Sequence, residues 1–216
     1  MRGYHKKSPS SKCAMKVDLM KAYDNVRWDF LFDVLKAMSF PTRMIHWIRA
    51  CVTSATFSIC INGSLHGHFQ GARGLRQGDP MSLYLFVIVM EILARIFNET
   101  SQNPQLKSHW RCGKNRIVNL YFADNLMVFC KGHVPSVQLI KTGLIEFQSL
   151  SGLALNPQKS RGFFSRCDDS LRNDILRITQ FQEGHVPVKY LGVRLIPTRL
   201  KAIDCQSLVT RISVRI

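Results

Sequence analysis

Leu120-Tyr121-Phe122-Ala123-Asp124-Asn125-Leu126-Met127-Val128-Phe129 is two apolar runs separated by a two-residue step of turn formers. Such a segment predicts a β-hairpin with Asp124 at its tip. A second strand signal lies near the N-terminus. In Cys13–Leu19, Met15, Val17 and Leu19 alternate with Lys16 and Asp18. That period of two predicts a strand with Asp18 near its end.

Between these strands the pattern turns helical. Asp24-Asn25 offers an N-cap, and Trp28, Leu31, Phe32, Leu35 and Met38 follow at helical spacing. Pro41 closes that helix, and a second is predicted around Ile45, Trp47 and Ile48. Phe57, Ile59 and Ile61 then alternate with Ser58 and Cys60, and Asn62-Gly63 predicts a hairpin turn. Gly71 to Pro80 reads as a glycine-rich loop with two arginines. An apolar helix is predicted from Pro80 to about Asn98, with Glu91 and Arg95 as an i,i+4 pair. Residues 99–116 read as a polar excursion. Downstream, a helix is predicted over Ser136–Leu150, ending at Gly152 as its C′ residue. Strands near Gly162–Ser165 and Tyr190–Leu195 flank a further helix around Ser170–Thr179. Strands and helices in this order predict an α+β fold, an antiparallel sheet backed by helices.

Composition narrows the class of partner. The 216 residues are 46% hydrophobic, enough for a sizeable core. Thirty Lys and Arg oppose fourteen Asp and Glu, a formal charge of +16, so polyanionic partners are expected, nucleic acid first. Seven scattered cysteines include no C-x-x-C pair, which predicts reduced thiols in apolar surroundings and no zinc site. The polar, basic Met1–Lys12 has no apolar core, so it does not read as a signal peptide. The apolar run Leu83–Met90 is too short to span a bilayer. The expectation is an intracellular chain, nuclear or cytoplasmic, that does not enter a membrane. No Walker phosphate loop, G-x-S-x-G elbow, H-E-x-x-H pair or dinucleotide fingerprint is present.

Two carboxylates sit where strands end. If the strands of Asp18 and Asp124 are neighbours, both can converge on the same cations. Paired Mg²⁺ ions about 3.5–4 Å apart can clamp the attacking and leaving oxygens of a phosphoryl transfer. Taken singly, Asp18 also reads as a helix cap and Asp124 as a turn residue. More than a hundred residues separate them, so spacing alone does not pair them.

The local sequences go further. Lys16-Val17-Asp18-Leu19-Met20-Lys21-Ala22-Tyr23-Asp24 resembles the first palm motif of reverse transcriptases from plant LINE-type (non-LTR) retrotransposons. Gly74-Leu75-Arg76-Gln77-Gly78-Asp79-Pro80-Met81-Ser82 is similar to their R-Q-G-D-P loop, and Phe122-Ala123-Asp124-Asn125 to their Phe-Ala-Asp-Asp turn. Leu153-Ala154-Leu155-Asn156-Pro157-Gln158-Lys159-Ser160 looks like the fourth motif and Tyr190-Leu191-Gly192 like the fifth. Five motifs in order fill most of the chain.

The resemblance implies a right-hand polymerase palm that copies an RNA template onto a DNA primer from deoxynucleoside triphosphates. It assigns the Mg²⁺ ions, with Mn²⁺ as a substitute, to Asp18 and Asp124, helped by the Leu19 carbonyl. Tyr23 becomes a steric gate against a 2′-hydroxyl; from its own context it reads only as a core aromatic. Gln77 and Gly78 line the floor beneath the incoming nucleotide, where glycine lets backbone come close. Lys159 protonates the leaving pyrophosphate; without the resemblance it is an ordinary surface lysine.

The chain also departs from the family. Asn125 stands where the second aspartate of the turn belongs, and Leu83 stands where proline is usual. Residues 1–13 read as a remnant of the fingers, 14–198 as the palm and 199–216 as the start of the thumb. The expectation is a truncated palm, inactive as it stands. Its alternatives are a catalytically dead, basic nucleic-acid-binding remnant and a retroelement pseudogene product without function. Oligomeric state is left open by the sequence.

Overall fold

The computed structural model describes residues 11–107, 109, 119–122, 125–190, 193–195, 210 and 213. The chain divides into two compact units. The first comprises residues 1–18, 97–143 and 155–216, and the second residues 19–96 and 144–154.

The first unit is organised by a five-stranded sheet of order β4-β5-β1-β6-β7. Its strands are β1 (Lys12–Asp18), β4 (Asn119–Phe122), β5 (Asn125–Lys131), β6 (Arg161–Ser165) and β7 (Gln182–Glu183). β1 lies at the centre, antiparallel to β5 and β6. Only the two-residue β7 runs parallel to its neighbour, so the predicted antiparallel sheet has one parallel edge. Cys13, Ala14, Met15 and Val17 are all buried, so β1 is covered on both faces although Lys16 and Asp18 alternate with its apolar residues. One face packs Ala14, Met127 and Phe163 together, with Phe129 and Val186 against them. On β1 and β5, Cys13 pairs with Cys130. Their thiols are hydrogen-bonded, and this contact together with burial holds the Cys13 thiol well above its ordinary range.

Helix α6 (Asp169–Thr179) also belongs to this unit; Asp168 caps it, accepting from the Leu171 N–H at 3.1 Å. The predicted strand Tyr190–Leu195 is instead two, β8 (Val188–Tyr190) and β9 (Val193–Leu195), paired antiparallel. Gly192, within that predicted strand, lies outside the described residues, as do Cys112 and Cys205.

The second unit contains α1 (Ala22–Asn25), α2 (Trp28–Ala37), α3 (Thr42–Thr53) and the hairpin β2 (Thr56–Ile61)–β3 (Ser64–Gln70). Asp24 and Asn25 do not cap α2 as predicted. They form the one-turn α1, and Arg27 precedes α2 without a side-chain cap. The Asn25 amide instead donates to the Met20 carbonyl at 2.8 Å. The Asn62-Gly63 turn is present, both residues at positive φ as a type I′ turn requires. The hairpin is exposed along both strands. Cys51 and Cys60 are exposed too, against the expectation of buried thiols.

Helix α4 (Pro80–Ser101) starts in this unit. Pro80 occupies its first turn, where a missing N–H costs nothing, and Asp79 Oδ1 accepts from the Met81 N–H at 2.8 Å. Leu85, Phe86, Val89, Met90 and Leu93 are its buried side. By length and composition alone this helix could cross a membrane, with a mean hydropathy of 1.8 over an 18-residue window. The shorter apolar run noted in the sequence understates it, because Glu91 and Arg95 pair on the helix at 3.4 Å. Helix α5 (Val134–Ser151) ends, as predicted, before Gly152, whose φ is +80°.

Candidate functional site

In the first unit the register of β1 and β5 sets Asp18 directly opposite Asn125. Asp124 lies outside the described residues, but its chain neighbour is thereby fixed to the strand end that carries Asp18. The last pair of the β4–β5 ladder is Phe122 with Asn125, so Asn125 belongs to β5 and not to the two-residue Asp124-Asn125 turn predicted from the sequence.

The other side of Asp18 is held by the turn leading into β6. The last ladder pair there is Lys16 with Arg161, so the Asp18 N–H reaches no β6 carbonyl. The Ser160 hydroxyl takes that place, accepting the Asp18 N–H at 3.0 Å, and Ser160 is fully buried. The Asn156 N–H donates to the Asp18 carbonyl at 2.8 Å. Both backbone polar groups of Asp18 are therefore tied to the same five-residue turn, which leaves the half-buried carboxylate to carry the chemistry. Lys159 sits within this turn: its N–H donates to Asn156 Oδ1 at 3.3 Å and its side chain is exposed. The sequence reading quoted Asn156 and Ser160 only as part of a motif and gave them no role.

The second unit holds Tyr23, Gln77 and Gly78. Tyr23 stacks on buried Phe86, with ring centroids 4.6 Å apart and planes inclined by 18°. Its carbonyl accepts the Leu75 N–H at 2.7 Å, while the Val26 carbonyl accepts the Gly74 N–H at 2.8 Å. The Trp28 indole N–H donates to the Gly74 carbonyl at 2.7 Å, and the Gln77 amide donates to Asp24 at 3.3 Å. The arginine-bearing loop is thus stitched to the segment Tyr23–Trp28, so it is no free surface connection. Asp24 and Trp28 are the stitching residues the sequence reading passed over. Gly74 has φ +93°, and a Cβ there would lie 2.7 Å from the Asp24 carbonyl oxygen. Gly78 also has positive φ, but nothing in the protein crowds it within 4 Å. Its glycine answers a backbone requirement and leaves open space above it.

A cleft of 690 Å³ opens beside this loop, lined by Trp28, Phe57, Phe69, Arg73, Arg76 and Gln77 among others. Its volume suits an organic ligand of nucleotide size. Among the described residues no cluster of three or more His, Cys, Asp or Glu could hold a metal ion. Asp18 offers hard carboxylate oxygen at a rigid strand end, the donor type that Mg²⁺ and Mn²⁺ take with water and phosphate completing the shell. The residue types fit a divalent cation of that class.

A central β-strand ending in an aspartate, a hairpin turn brought to the same strand end and a helix-backed sheet define a polymerase palm. Residues 1–195 match the family described as reverse transcriptase (RNA-dependent DNA polymerase), and the chain belongs to that family. It is 26% identical over 208 residues to the retrovirus-related Pol polyprotein from type-2 retrotransposable element R2DM of Drosophila melanogaster, covering 92% of this chain and 19% of that protein. It is 40% identical over 67 residues to the uncharacterized mitochondrial protein AtMg01250 of Arabidopsis thaliana, covering 30% of this chain and 54% of that one. Among solved structures, its fold is similar to apo telomerase from Candida tropicalis truncated from the C-terminal domain. The TM-score is 0.58 at 13% identity, over 76% of this chain and 32% of that one. The chain therefore spans about a fifth of the retrotransposon polyprotein, 19%.

Proposed function

We propose that this chain is the palm-centred part of a reverse transcriptase from a LINE-type retrotransposon of plant origin. Its reaction is attack of a primer 3′-hydroxyl on the α-phosphate of a deoxynucleoside triphosphate, templated by RNA, with release of pyrophosphate. The observation that carries the reading is the register of β1 and β5, which puts Asp18 opposite the residue that follows Asp124. Plant origin rests on the partial match to the Arabidopsis protein.

Asp18 and Asp124, with the Leu19 carbonyl, are the residues that hold Mg²⁺ or Mn²⁺, which when bound neutralises charge developing on the phosphates. Tyr23, flat against Phe86, excludes a 2′-hydroxyl by its bulk. Gln77 and Gly78 form the floor under the incoming nucleotide, and Lys159 gives a proton to the departing pyrophosphate. Residues 1–13 are assigned to the fingers, 14–198 to the palm and 199–216 to the thumb. The protein acts inside the cell, in nucleus or cytoplasm, on nucleic acid and not at a membrane.

Asn125 favours a second reading, a palm that binds nucleic acid without extending it. Replacing a carboxylate near the metals by a neutral amide costs at least the roughly 10–100-fold typical of losing an outer partner. Primer extension on an RNA template with Mg²⁺ or Mn²⁺ separates the two. The native chain is compared with Asn125→Asp and Asp18→Ala. Synthesis that depends on Asp18 establishes the polymerase. Synthesis only in Asn125→Asp places the defect at that side chain. Silence in all three removes the catalytic reading.

A further inference from the structure

In the first unit Cys13 and Cys130 face each other in the β1–β5 register, both fully buried and both free thiols. Residues directly opposite on antiparallel strands have Cα atoms about 4.5 or 5.5 Å apart, inside the roughly 4.4–6.8 Å that a disulfide spans. The backbone therefore already meets the main condition for a bond between them, and the two thiols are in hydrogen-bond contact. Next along the two strands come Ser11 and Gly132. The Gly132 N–H donates to the Ser11 carbonyl at 3.1 Å, and the Ser11 hydroxyl donates to the Gly132 carbonyl at 2.6 Å. Alternate residues of a strand share a face, so Gly132 lies in one row with Cys130, about 7 Å along it. Glycine leaves that place without a side chain, and the Cys167 sulfur takes it, 2.7 Å from where a Cβ would stand. Cys167 follows β6, and its thiol donates to the Lys12 carbonyl, the one that precedes Cys13, at 3.6 Å. Unlike the strand pair, it is only half-buried.

We propose that these three thiols form a site of oxidation by hydroperoxides, in which Cys167 meets the oxidant and a Cys13–Cys130 disulfide is the product. The peroxide O–O bond breaks as one oxygen passes to the Cys167 sulfur, which becomes a sulfenic acid; an alcohol, or water from hydrogen peroxide, leaves. The Cys130 thiol then attacks that sulfur, an S–S bond forms and water departs. Cys13 attacks Cys130 in turn, and Cys167 leaves as a thiol. The sum is two thiols and one hydroperoxide giving one disulfide, one alcohol and one water. The strand pair is slow to meet an oxidant directly, because the thiolate is the reactive form and burial beside Cys130 keeps the Cys13 thiol protonated. The half-buried neighbour provides the access that the pair lacks. Once formed, the bond lies in the core and fastens β1 to β5 at the end of the ladder remote from Asp18 and Asn125.

The test is peptide mass spectrometry of the full chain after exposure to hydrogen peroxide, with remaining thiols trapped by N-ethylmaleimide during unfolding. Trypsin puts the three cysteines on separate peptides, because Lys12 precedes Cys13, Lys131 follows Cys130 and Arg166 precedes Cys167. The native chain is expected to yield the Cys13–Cys130 link. Cys167→Ser is expected to lose most of that link over the same exposure. Cys13→Ser is expected to halt the sequence one step earlier, as a Cys130–Cys167 link. Circular dichroism checks that both variants stay folded, and the native chain carries the first comparison without any substitution. The exposed Cys51 and Cys60 report that oxidant was present. Polymerase activity plays no part in the readout. Cys13 and Cys130 left reduced in a native chain whose Cys51 and Cys60 are oxidised would overturn the proposal, as would a link that forms equally fast in Cys167→Ser.

Discussion

Removing the Ser160 hydroxyl tests whether the turn before β6 holds Asp18 in place. In Ser160→Ala the Asp18 N–H loses its acceptor at 3.0 Å, and no β6 carbonyl is in register to replace it. A donor left unsatisfied costs about 1–3 kcal/mol; Asp18 is half-buried, so water recovers part, and about 1–2 kcal/mol is expected. For a chain of this size that lowers Tm by roughly 2–8 °C. Ser149→Ala is the control, because that exposed hydroxyl bonds only its own helix, and its effect should stay within about 0.5 kcal/mol. Thermal melts and urea titrations give the energies. Hydrogen exchange over the peptide containing Met15–Met20 shows whether the Asp18 amide opens. If Asp18 ligates Mg²⁺, the loosened turn also raises the Mg²⁺ concentration needed for extension by Asn125→Asp, by about 10-fold or more. A Ser160→Ala chain as stable as the control, with unchanged exchange at Asp18, would refute the clamp.

Three further outcomes follow from the same geometry. Gly74→Ala forces a side chain onto a φ of +93° and drives Cβ to 2.7 Å from backbone that cannot yield. It should cost about 1–3 kcal/mol in strain and about 1–3 kcal/mol in overpacking, read as a lower urea midpoint. Iodoacetamide should label Cys51 and Cys60 and spare Cys13, whose buried thiol is held protonated by Cys130 and burial; peptide mass spectrometry decides. Burial, with Lys107 and Lys131 behind it, lowers the His133 pKa below 6.5. The unfolded chain therefore takes up the proton first, so stability is full above pH 6.5 and falls as pH drops toward the lowered value. The loss of Tm between neutral and mildly acid pH should shrink in His133→Gln.

Much of the fold was legible because its elements carry local signals. Asn62-Gly63 demands positive φ at both positions, and Pro80 after Asp79 opens a helix, so both were placed without tertiary information. The boundary at Asp24-Asn25 misled because capping residues do not announce which helix they serve. Here a left-handed Lys21 starts a separate turn first, and α2 begins only at Trp28. Cys51 and Cys60 misled for a different reason. Both sit in apolar runs, yet Cys51 lies on α3 outside its buried side of Ile45, Ile48 and Val52, and Cys60 lies on β2, which pairs only with β3 and is exposed along its length. The expected site residues could be named from the sequence, but the supports of Asp18 could not. Asn156 and Ser160 act through backbone groups of a residue over 130 positions away, and no periodicity reports a contact of that range.

Register is what joins the two parts of the site. Asp18 and Asn125 face each other because seven consecutive pairs, from Lys12 with Lys131 onward, align β1 with β5. A slip by one residue would exchange the faces of β5 and bring Met127 and Phe129 out of their packing around Ala14 and Phe163. The apolar core of the first unit therefore fixes which residue lies across from Asp18, well before any ligand is considered. An Asn125→Asp replacement falls on the terminal pair of that ladder, opposite Asp18. What the asparagine alters is the charge offered at the strand end, while the alignment that would present it persists.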